Sequence, residues 1–290
     1  MKYYALDVET ANPSISSICQ IGIAKFDDGK IVEKYNELLN PEDYFDPFNV
    51  EIHGITESKV LKAKKFPEVY KNILTKITGN VVIHHMPFDK TAIGQACQKY
   101  GLPKLECQWL DSAKVARRTW SDISQKGYSL SNICNMLRIE FKHHDALEDA
   151  IAAGTIIQFA IEKSGIDLES WIYRSKERIN EGSPKQHLNV HFEGNSEGPL
   201  WGETIVFTGS LSITRDEAAR IAANAGCNVT NNINPKCTIL VLGQQDIEKL
   251  AGKSKSTKQI KAEELIREGF PIQIISEDDF VQLVEARNKL

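Results

Sequence analysis

Three apolar runs rich in β-branched and aromatic residues fill most of the first 38 positions with only short turns between them, so the chain must begin as a β-sheet. The pattern predicts strands at Lys2–Glu9, Ser17–Phe26 and Lys30–Leu38, with Asp27, Asp28 and Gly29 turning the last two into a hairpin. Strands joined this closely pair antiparallel, as a meander. Beyond Pro67 the texture changes to helix alternating with strand. Helices are expected over Pro67–Ile77 and Phe88–Tyr100, the latter closed by Gly101, and short strands over Asn80–His85 and Gln108–Leu110. Further helices follow near Ser112–Thr119, Ser129–Leu137 and Asp145–Ser164, the last stopped by Gly165. Three antiparallel strands continued by two that are reached through helices imply an α/β fold, with one mixed five-stranded sheet and helices on both faces.

The 290 residues allow two domains of ordinary size. Between about Ser175 and Pro199 the chain is rich in Gly, Ser, Asn and Pro and lacks sustained periodicity, which reads as a linker. The expected division is a first domain over 1–165, a helix end and flexible linker over 166–199, and a second domain over 200–290. The second domain runs βαββαβα: strands at Thr204–Phe207, Asn228–Thr230, Thr238–Leu242 and Ile272–Ile275, helices at Arg215–Ala225 and Thr257–Glu268, and a final helix. That order predicts a small parallel sheet with flanking helices. Thr214 with Glu217, and Ser276 with Asp279, carry the spacing of capping boxes.

Composition narrows the classes of function. Hydrophobic residues are 41% and charged residues 26%, enough for a sizeable core and against wholesale disorder. The best apolar stretch, Ala150–Ile161, is broken by Gly154 and Gln158 and falls short of the roughly 18 residues a membrane span needs. Acids in MKYYALDVET stand where a signal peptide keeps an apolar core, so a cytoplasmic location without a membrane partner is expected. A net charge of −4 rules out a wholly basic nucleic-acid coat and leaves room for a local basic patch. The six cysteines form no CxxC pair, which argues for reduced thiols over zinc or a disulfide framework.

Asp7 and Glu9 flank Val8 in the first strand, and alternation along a strand puts both carboxylates on one face. A solvated strand edge would explain them, but Tyr4, Ala5, Leu6 and Val8 argue for a central strand, where paired acids need a cation or protons. Asp89 follows the strand ending in His84 and His85 and opens a helix; Asp145, Glu148 and Asp149 crowd the start of another. Taken singly, each suits the positive end of a helix dipole as well as it suits a metal. His144 and Asp149 lie five residues apart and would not share a helix face, so His144 is expected on the preceding loop, within reach of the site Asp149 faces.

Together, Asp7-Val8-Glu9, the run HHMPFD ending in Asp89, and His144-x-Ala-x-x-Asp149 resemble the three motifs of DEDD-superfamily exonucleases, histidine subclass, which includes the proofreading epsilon subunit of bacterial DNA polymerase III. His53-Gly54-Ile55-Thr56, Leu110-Asp111-Ser112 and Tyr128-Ser129-Leu130-Ser131 occur in the order expected of that family, and the likeness spans roughly residues 1–165. The resemblance implies a ribonuclease H-like sheet and two Mg²⁺ or Mn²⁺ ions held by Asp7, Glu9, Asp89 and Asp149. It implies His144 as general base and release of nucleoside 5′-monophosphates from a 3′ end. It also implies that Thr10, His53, Gly54, Ile55, Thr56 and Phe88 contact the terminal nucleotide. A Gly-containing turn would account for the 53–56 segment equally well. One departure from the family pattern is Met86-Pro87 after His84-His85, where His-Asn-Ala is usual; it alters the pocket wall and leaves the metal ligand in place.

The second domain resembles a BRCT domain, most closely the one ending bacterial NAD-dependent DNA ligases: LWGETIVFTGSL, TRDEAARIAANAG, KCTILVLG and SKSTKQIKAEELIREG with IISEDDF carry the likeness. Gly226-Cys227 replaces the usual Gly-Gly, and Phe280 stands where many members have Trp. The resemblance implies a partner protein, phosphopeptide or DNA end as ligand. Thr208, Gly209 and Lys258 or Lys261 match its phosphate-capturing positions, although a solvated lysine face explains the lysines as well. The expected function is therefore a 3′ to 5′ exonuclease acting on single-stranded or frayed DNA 3′ ends and localised to DNA or a replication or repair partner. The alternatives are an exoribonuclease on the same fold and a non-catalytic adaptor.

Overall fold

Apolar side chains on both faces of Lys2–Thr10 (β1) place this strand at the centre of a sheet. Ile18–Asp27 (β2) pairs antiparallel with β1, and Lys30–Leu38 (β3) pairs antiparallel with β2 at the outer edge. Asp28 and Gly29 turn the hairpin with φ of 45° and 77°. The structure is a computed structural model that describes residues 1–120, 127–177, 192–209, 211–243 and 255–287.

Short Pro47–His53 (α1) and Glu57–Val60 (α2) follow, then Phe66–Ile77 (α3), which leads into Val81–His84 (β4), parallel to β1. Phe88–Lys99 (α4) crosses to Gln108–Asp111 (β5), parallel to β4, and the sheet order is β3-β2-β1-β4-β5. Ser112–Thr119 (α5), Leu130–Leu137 (α6), Ala146–Ser164 (α7) and Leu168–Arg174 (α8) complete the first unit.

Parity along β1 decides what each face meets. Tyr4, Leu6 and Val8 join Ile21 and Ile23 in a core closed by Phe66, Val69 and Ile73 of α3 and Ala92 and Ile93 of α4. Tyr3, Ala5, Asp7 and Glu9 point the other way, toward α7. Small residues let α7 come close: a Cβ on Gly154 would lie 2.4 Å from Phe26, and the Tyr3 hydroxyl donates to the Gly154 carbonyl at 3.0 Å. Gly22 pairs with Asp7 in the sheet, and a Cβ there would stand 2.2 Å from the Ala146 carbonyl carbon and the Leu147 nitrogen. The first turn of α7 therefore rests on the strand pair beside Asp7.

The second unit is a four-stranded parallel sheet of Thr204–Thr208 (β6), Asn228–Thr230 (β7), Ile239–Leu242 (β8) and Gln273–Ser276 (β9), in the order β7-β6-β8-β9. Arg215–Asn224 (α9), Thr257–Arg267 (α10) and Glu277–Arg287 (α11) accompany it. Thr214 accepts the Glu217 amide, and Ser276 and Asp279 exchange bonds at 2.9 and 3.1 Å, so both helices start on a side-chain cap. Phe207 meets Phe280 edge to face, at 5.2 Å between ring centres.

The segment expected as a helix end and linker, 166–199, is ordered at both ends. Asp167 caps α8 through the Ser170 amide at 2.7 Å, and Trp171 is fully buried. Phe192 bridges to Val229, and the Asn195 and Leu200 amides bond the Ala223 and Ala225 carbonyls, each at 2.8 Å. The remainder of the expected linker, 178–191, lies outside the described residues. The chain divides into two compact units, one over Met1–Ser124 and Leu130–Arg178, the other over Gln125–Ser129 and Ile179–Leu290. Among the described residues, no helix is long and apolar enough to cross a membrane.

A Gly22→Ala variant tests the close approach at the sheet. Its Cβ has only backbone to meet, so α7 must lift, and overpacking of this kind costs about 1–3 kcal/mol or more. Urea unfolding should show a lower midpoint with an unchanged slope.

Candidate active site

Asp7 and Glu9 leave β1 on the face that α7 covers, and Asp149 in the first turn of α7 meets them. One carboxylate oxygen from each of the three lies within 4.8 Å of the others. Glu9 and Asp149 are 9% and 4% exposed, so this is a buried anionic group and not a solvated edge. Asp145 caps α7 by accepting the Leu147 amide at 3.2 Å, and the positive end of the helix dipole faces the acids.

His144 sits on the loop just before α7, in the left-handed region at φ 60°. That conformation is unfavourable for a non-glycine residue and needs fixing from outside. Its amide is shared between Asp149 Oδ2 at 3.0 Å and His143 Nδ1 at 2.9 Å. The His143 and His144 rings lie 4.2 Å apart, and one nitrogen of each stands within 4.8 Å of an Asp149 oxygen. His143 Nδ1 stands 3.4 Å from Asp149 Oδ2 and also accepts the His144 amide, so both rings lie beside that carboxylate.

Asp89, in the first turn of α4, is 3% exposed and accepts the Val8 amide through Oδ1 at 3.2 Å. The Asp7 carboxyl lies beside it. Burial pushes its pKa well above the usual carboxylate range and the nearby Asp149 charge adds to this, while the Val8 amide and the Asp7 side chain oppose it.

The donor set fits a divalent cation. Asp149 Oδ1 is buried and accepts no hydrogen bond among the described residues, although Oδ2 does, and an anionic oxygen so placed is costly unless a cation faces it. The four acids supply hard oxygen ligands of the kind Mg²⁺ and Mn²⁺ prefer.

The residues expected around a terminal nucleotide gather at the end of β1. His53 accepts the Ile55 amide through Nδ1 at 2.9 Å, so its proton is on Nε2, which donates to the Thr10 carbonyl at 3.1 Å. Asn49 adds a second bond to that carbonyl at 2.9 Å. The Gly54–Ile55 turn is thereby pinned to the strand that carries Asp7 and Glu9. Gly54 needs its freedom here: it ends α1 at φ 70°. Thr56 follows half-buried, and Phe88, also half-buried, opens α4 beside Asp89.

A polar knot invisible to sequence spacing sets the turn before Asp89. Met86 is left-handed at φ 62°, its amide bonds Asp111 Oδ1 at 3.2 Å, and its carbonyl accepts from His84 Nδ1. Ser112 Oγ donates to the His84 carbonyl at 3.1 Å and accepts from His85 Nδ1 at 2.7 Å. Asp111 and Ser112 had entered only as supporting motif residues; their task here is to hold the path of the chain into α4.

In the second unit Thr208 Oγ1 donates to Ser256 Oγ at 3.0 Å, and Lys258 Nζ reaches the Phe207 carbonyl at 3.1 Å. Arg215, which the sequence reading passed over, donates to the Phe207 and Gly209 carbonyls, each at 2.6 Å. Burial lowers the pKa of both cations, and Arg215 lowers that of Lys258 further. Gly209 is left-handed at φ 79°, and Lys261 is exposed on the next turn of α10. Of the two candidate lysines, Lys258 is therefore the one beside Thr208.

Both units match known protein families. Residues 4–157 match the family described as Exonuclease (RNase_T), and residues 195–272 match the BRCA1 C Terminus (BRCT) domain. A DNA polymerase III PolC-type protein of Thermotoga petrophila is 28% identical over 185 residues, covering 61% of this chain and 13% of the relative. The PolC-type protein of Caldanaerobacter subterraneus is 30% identical over 166 residues, 56% of this chain and 12% of the relative. The chain thus spans about an eighth of these relatives. Among solved structures, E. coli exonuclease I in complex with a dA16 oligonucleotide superposes with a TM-score of 0.50 at 16% identity, covering 59% of this chain and 42% of that one. A 3′-exonuclease described with a histone mRNA stem-loop gives 0.50 at 15%, covering 56% of this chain and 82% of that one. At these identities the structures show the fold alone.

His84 offers a test of the knot. Burial pushes its pKa down to about 4, with Asp111 opposing. The unfolded chain takes a proton near the ordinary histidine value of about 6.5 and the folded protein does not, so this stability is complete above 6.5 and is lost as pH falls toward 4. The loss amounts to at most about 1.4 kcal/mol per pH unit. Urea unfolding in chelator between pH 7 and 5 should show it, and His84→Gln should flatten the dependence whatever its own stability.

Proposed function

The chain belongs to the exonuclease family that residues 4–157 match, and from this we propose a divalent-metal-dependent 3′ to 5′ exonuclease of the histidine subclass, joined to a BRCT module that localises it. The observation that carries the reading is the convergence of Asp7, Glu9 and Asp149, with Asp89 beside Asp7 and His144 beside Asp149. Bound Mg²⁺ or Mn²⁺, two ions in this reading, would polarise the phosphodiester and offset charge on the leaving 3′ oxygen. Asp7, Glu9, Asp89 and Asp149 hold the ions, and His144 accepts the proton of the attacking water. Thr10, the 53–56 turn and Phe88 seat the terminal nucleotide, with His53 acting through the Thr10 carbonyl and the Ile55 amide.

DNA is the preferred polymer in this reading. Related folds are described with both dA16 and an mRNA stem-loop, so the fold does not choose; the PolC-type relatives and the BRCT module weigh for DNA. We place the nuclease within 1–165 and the module, most like that of bacterial NAD-dependent ligases, within 200–290, joined through 166–199. Thr208, Gly209 and Lys258, with Arg215 behind and Lys261 at the rim, suit a phosphate of DNA or of a repair or replication partner. Six free thiols suit the cytoplasm.

The test is hydrolysis of end-labelled single-stranded DNA and RNA with Mg²⁺, Mn²⁺ or chelator. Wild type should release nucleoside 5′-monophosphates from the 3′ end only with metal, and faster from DNA. Asp7→Ala should abolish release, and His144→Ala should lower kcat by about 10²–10⁴-fold. Equal activity in Asp7→Ala overturns the reading.

A further inference from the structure

On the first unit, cations crowd together on α4, α5 and α8. Lys90 follows Asp89 in the first turn of α4. α5 starts at the same edge of the sheet, from the neighbouring parallel strand, and adds Lys114, Arg117 and Arg118; α8 and the residues after it add Arg174 and Lys176. Arg118 ties these elements together, donating to the Lys114 carbonyl at 3.0 Å and the Glu177 carbonyl at 2.5 Å. Arg174 lies over the Trp171 ring at 5.6 Å and Lys176 over the Tyr173 ring at 5.9 Å. Tyr173 itself is 71% exposed.

The charges act on one another. After burial, Arg117 and Arg174 hold the Arg118 pKa below its ordinary value. The acids that oppose them are Asp111 and Glu177, and Asp111 Oδ1 already accepts the Met86, Ala113 and Lys114 amides. Lys90, Lys114, Arg118, Arg174 and Lys176 make no ion pair with a carboxylate among the described residues. In a chain with 39 acids and 35 Lys and Arg, such segregation is not compositional. Clustered like charges cost folding free energy unless a polyanion offsets them. An exposed aromatic ring among cations adds a surface on which a base can stack.

We propose that the face formed by Lys90, Lys114, Arg117, Arg118, Arg174 and Lys176, with Tyr173 as a stacking platform, is a phosphodiester-binding track that takes nucleic-acid backbone beyond the 3′-terminal nucleotide. The proposal rests on the exonuclease reading. The phosphates come either from upstream nucleotides of the strand being shortened or from its complement.

The full chain is titrated in chelator, by fluorescence anisotropy, against a labelled 20-nucleotide single strand and a duplex with a recessed 3′ end, over a range of salt. Lys114→Gln with Arg174→Gln should weaken binding about tenfold at low salt and reduce the slope of log K against log salt by about 2, one for each cation. Tyr173→Ala should weaken single-strand binding and leave the salt slope unchanged. Loss on both ligands assigns the track to the degraded strand, and loss confined to the duplex assigns it to the complement. Unchanged affinity and slope in the double variant, and again in Lys114→Glu with Arg174→Glu, overturn the track. Mononucleotide release by wild type is scored separately: its failure retires the exonuclease reading, while its success with unchanged variant binding retires the track alone.

Discussion

Four carboxylates packed at the edge of an apolar sheet oppose folding, and the rest of the first unit is arranged around that cost. Desolvation and the neighbouring Asp149 charge both disfavour the ionised form of Asp89, whose pKa rises well above the usual carboxylate range. The compensation comes from elsewhere. β1 is covered on both faces, by the α3–α4 core on one side and α7 on the other, and this apolar burial is what permits acids in a central strand. A divalent cation among these oxygens would offset the repulsion.

The scaffold reaches the site through backbone exceptions. Gly22 lacks the atom that would hold α7 off the sheet, and His144 and Met86 occupy the left-handed region at the two turns that deliver Asp149 and Asp89. Each exception has its own restraint: His143 and Asp149 hold the His144 amide, while Asp111 and His84 hold Met86. Strain in these turns is tolerable because rigid elements enter and leave them.

These features also show where reading the sequence succeeds and where it stops. β1 to β5 were legible because period-2 runs and turn residues are local signals, and the common face of Asp7 and Glu9 followed from parity alone. α1 and α2 were not, since seven and four residues are too few for a helical period, although Asp46, Pro47 and Gly54 carry the cap, first-turn and termination signals of α1. α8 was not legible as a separate helix, because 166–199 read as a helix end and linker, although Asp167 and the buried Trp171 mark its cap and its packing. The knot of His84, Asp111 and Ser112, and the contact of Arg215 with β6, join residues distant in sequence, so no window along the chain contains them.

A net charge of −4 conceals a separation of charge that matters more than the sum. Asp7, Glu9 and Asp149 meet beside the first turn of α7, while cations gather on α5 and α8 and, in the second unit, around the end of β6. Both cationic groups are built in the same manner. Arg118 is held by the Lys114 and Glu177 carbonyls, and Arg215 by the Phe207 and Gly209 carbonyls. A carboxylate in those places would orient the guanidinium and also cancel its charge. A main-chain carbonyl orients the fork and leaves the charge for an incoming anion, at the cost of burying a cation whose pKa falls in consequence. Holding a charge in position without neutralising it is the physical requirement of a phosphate-binding surface.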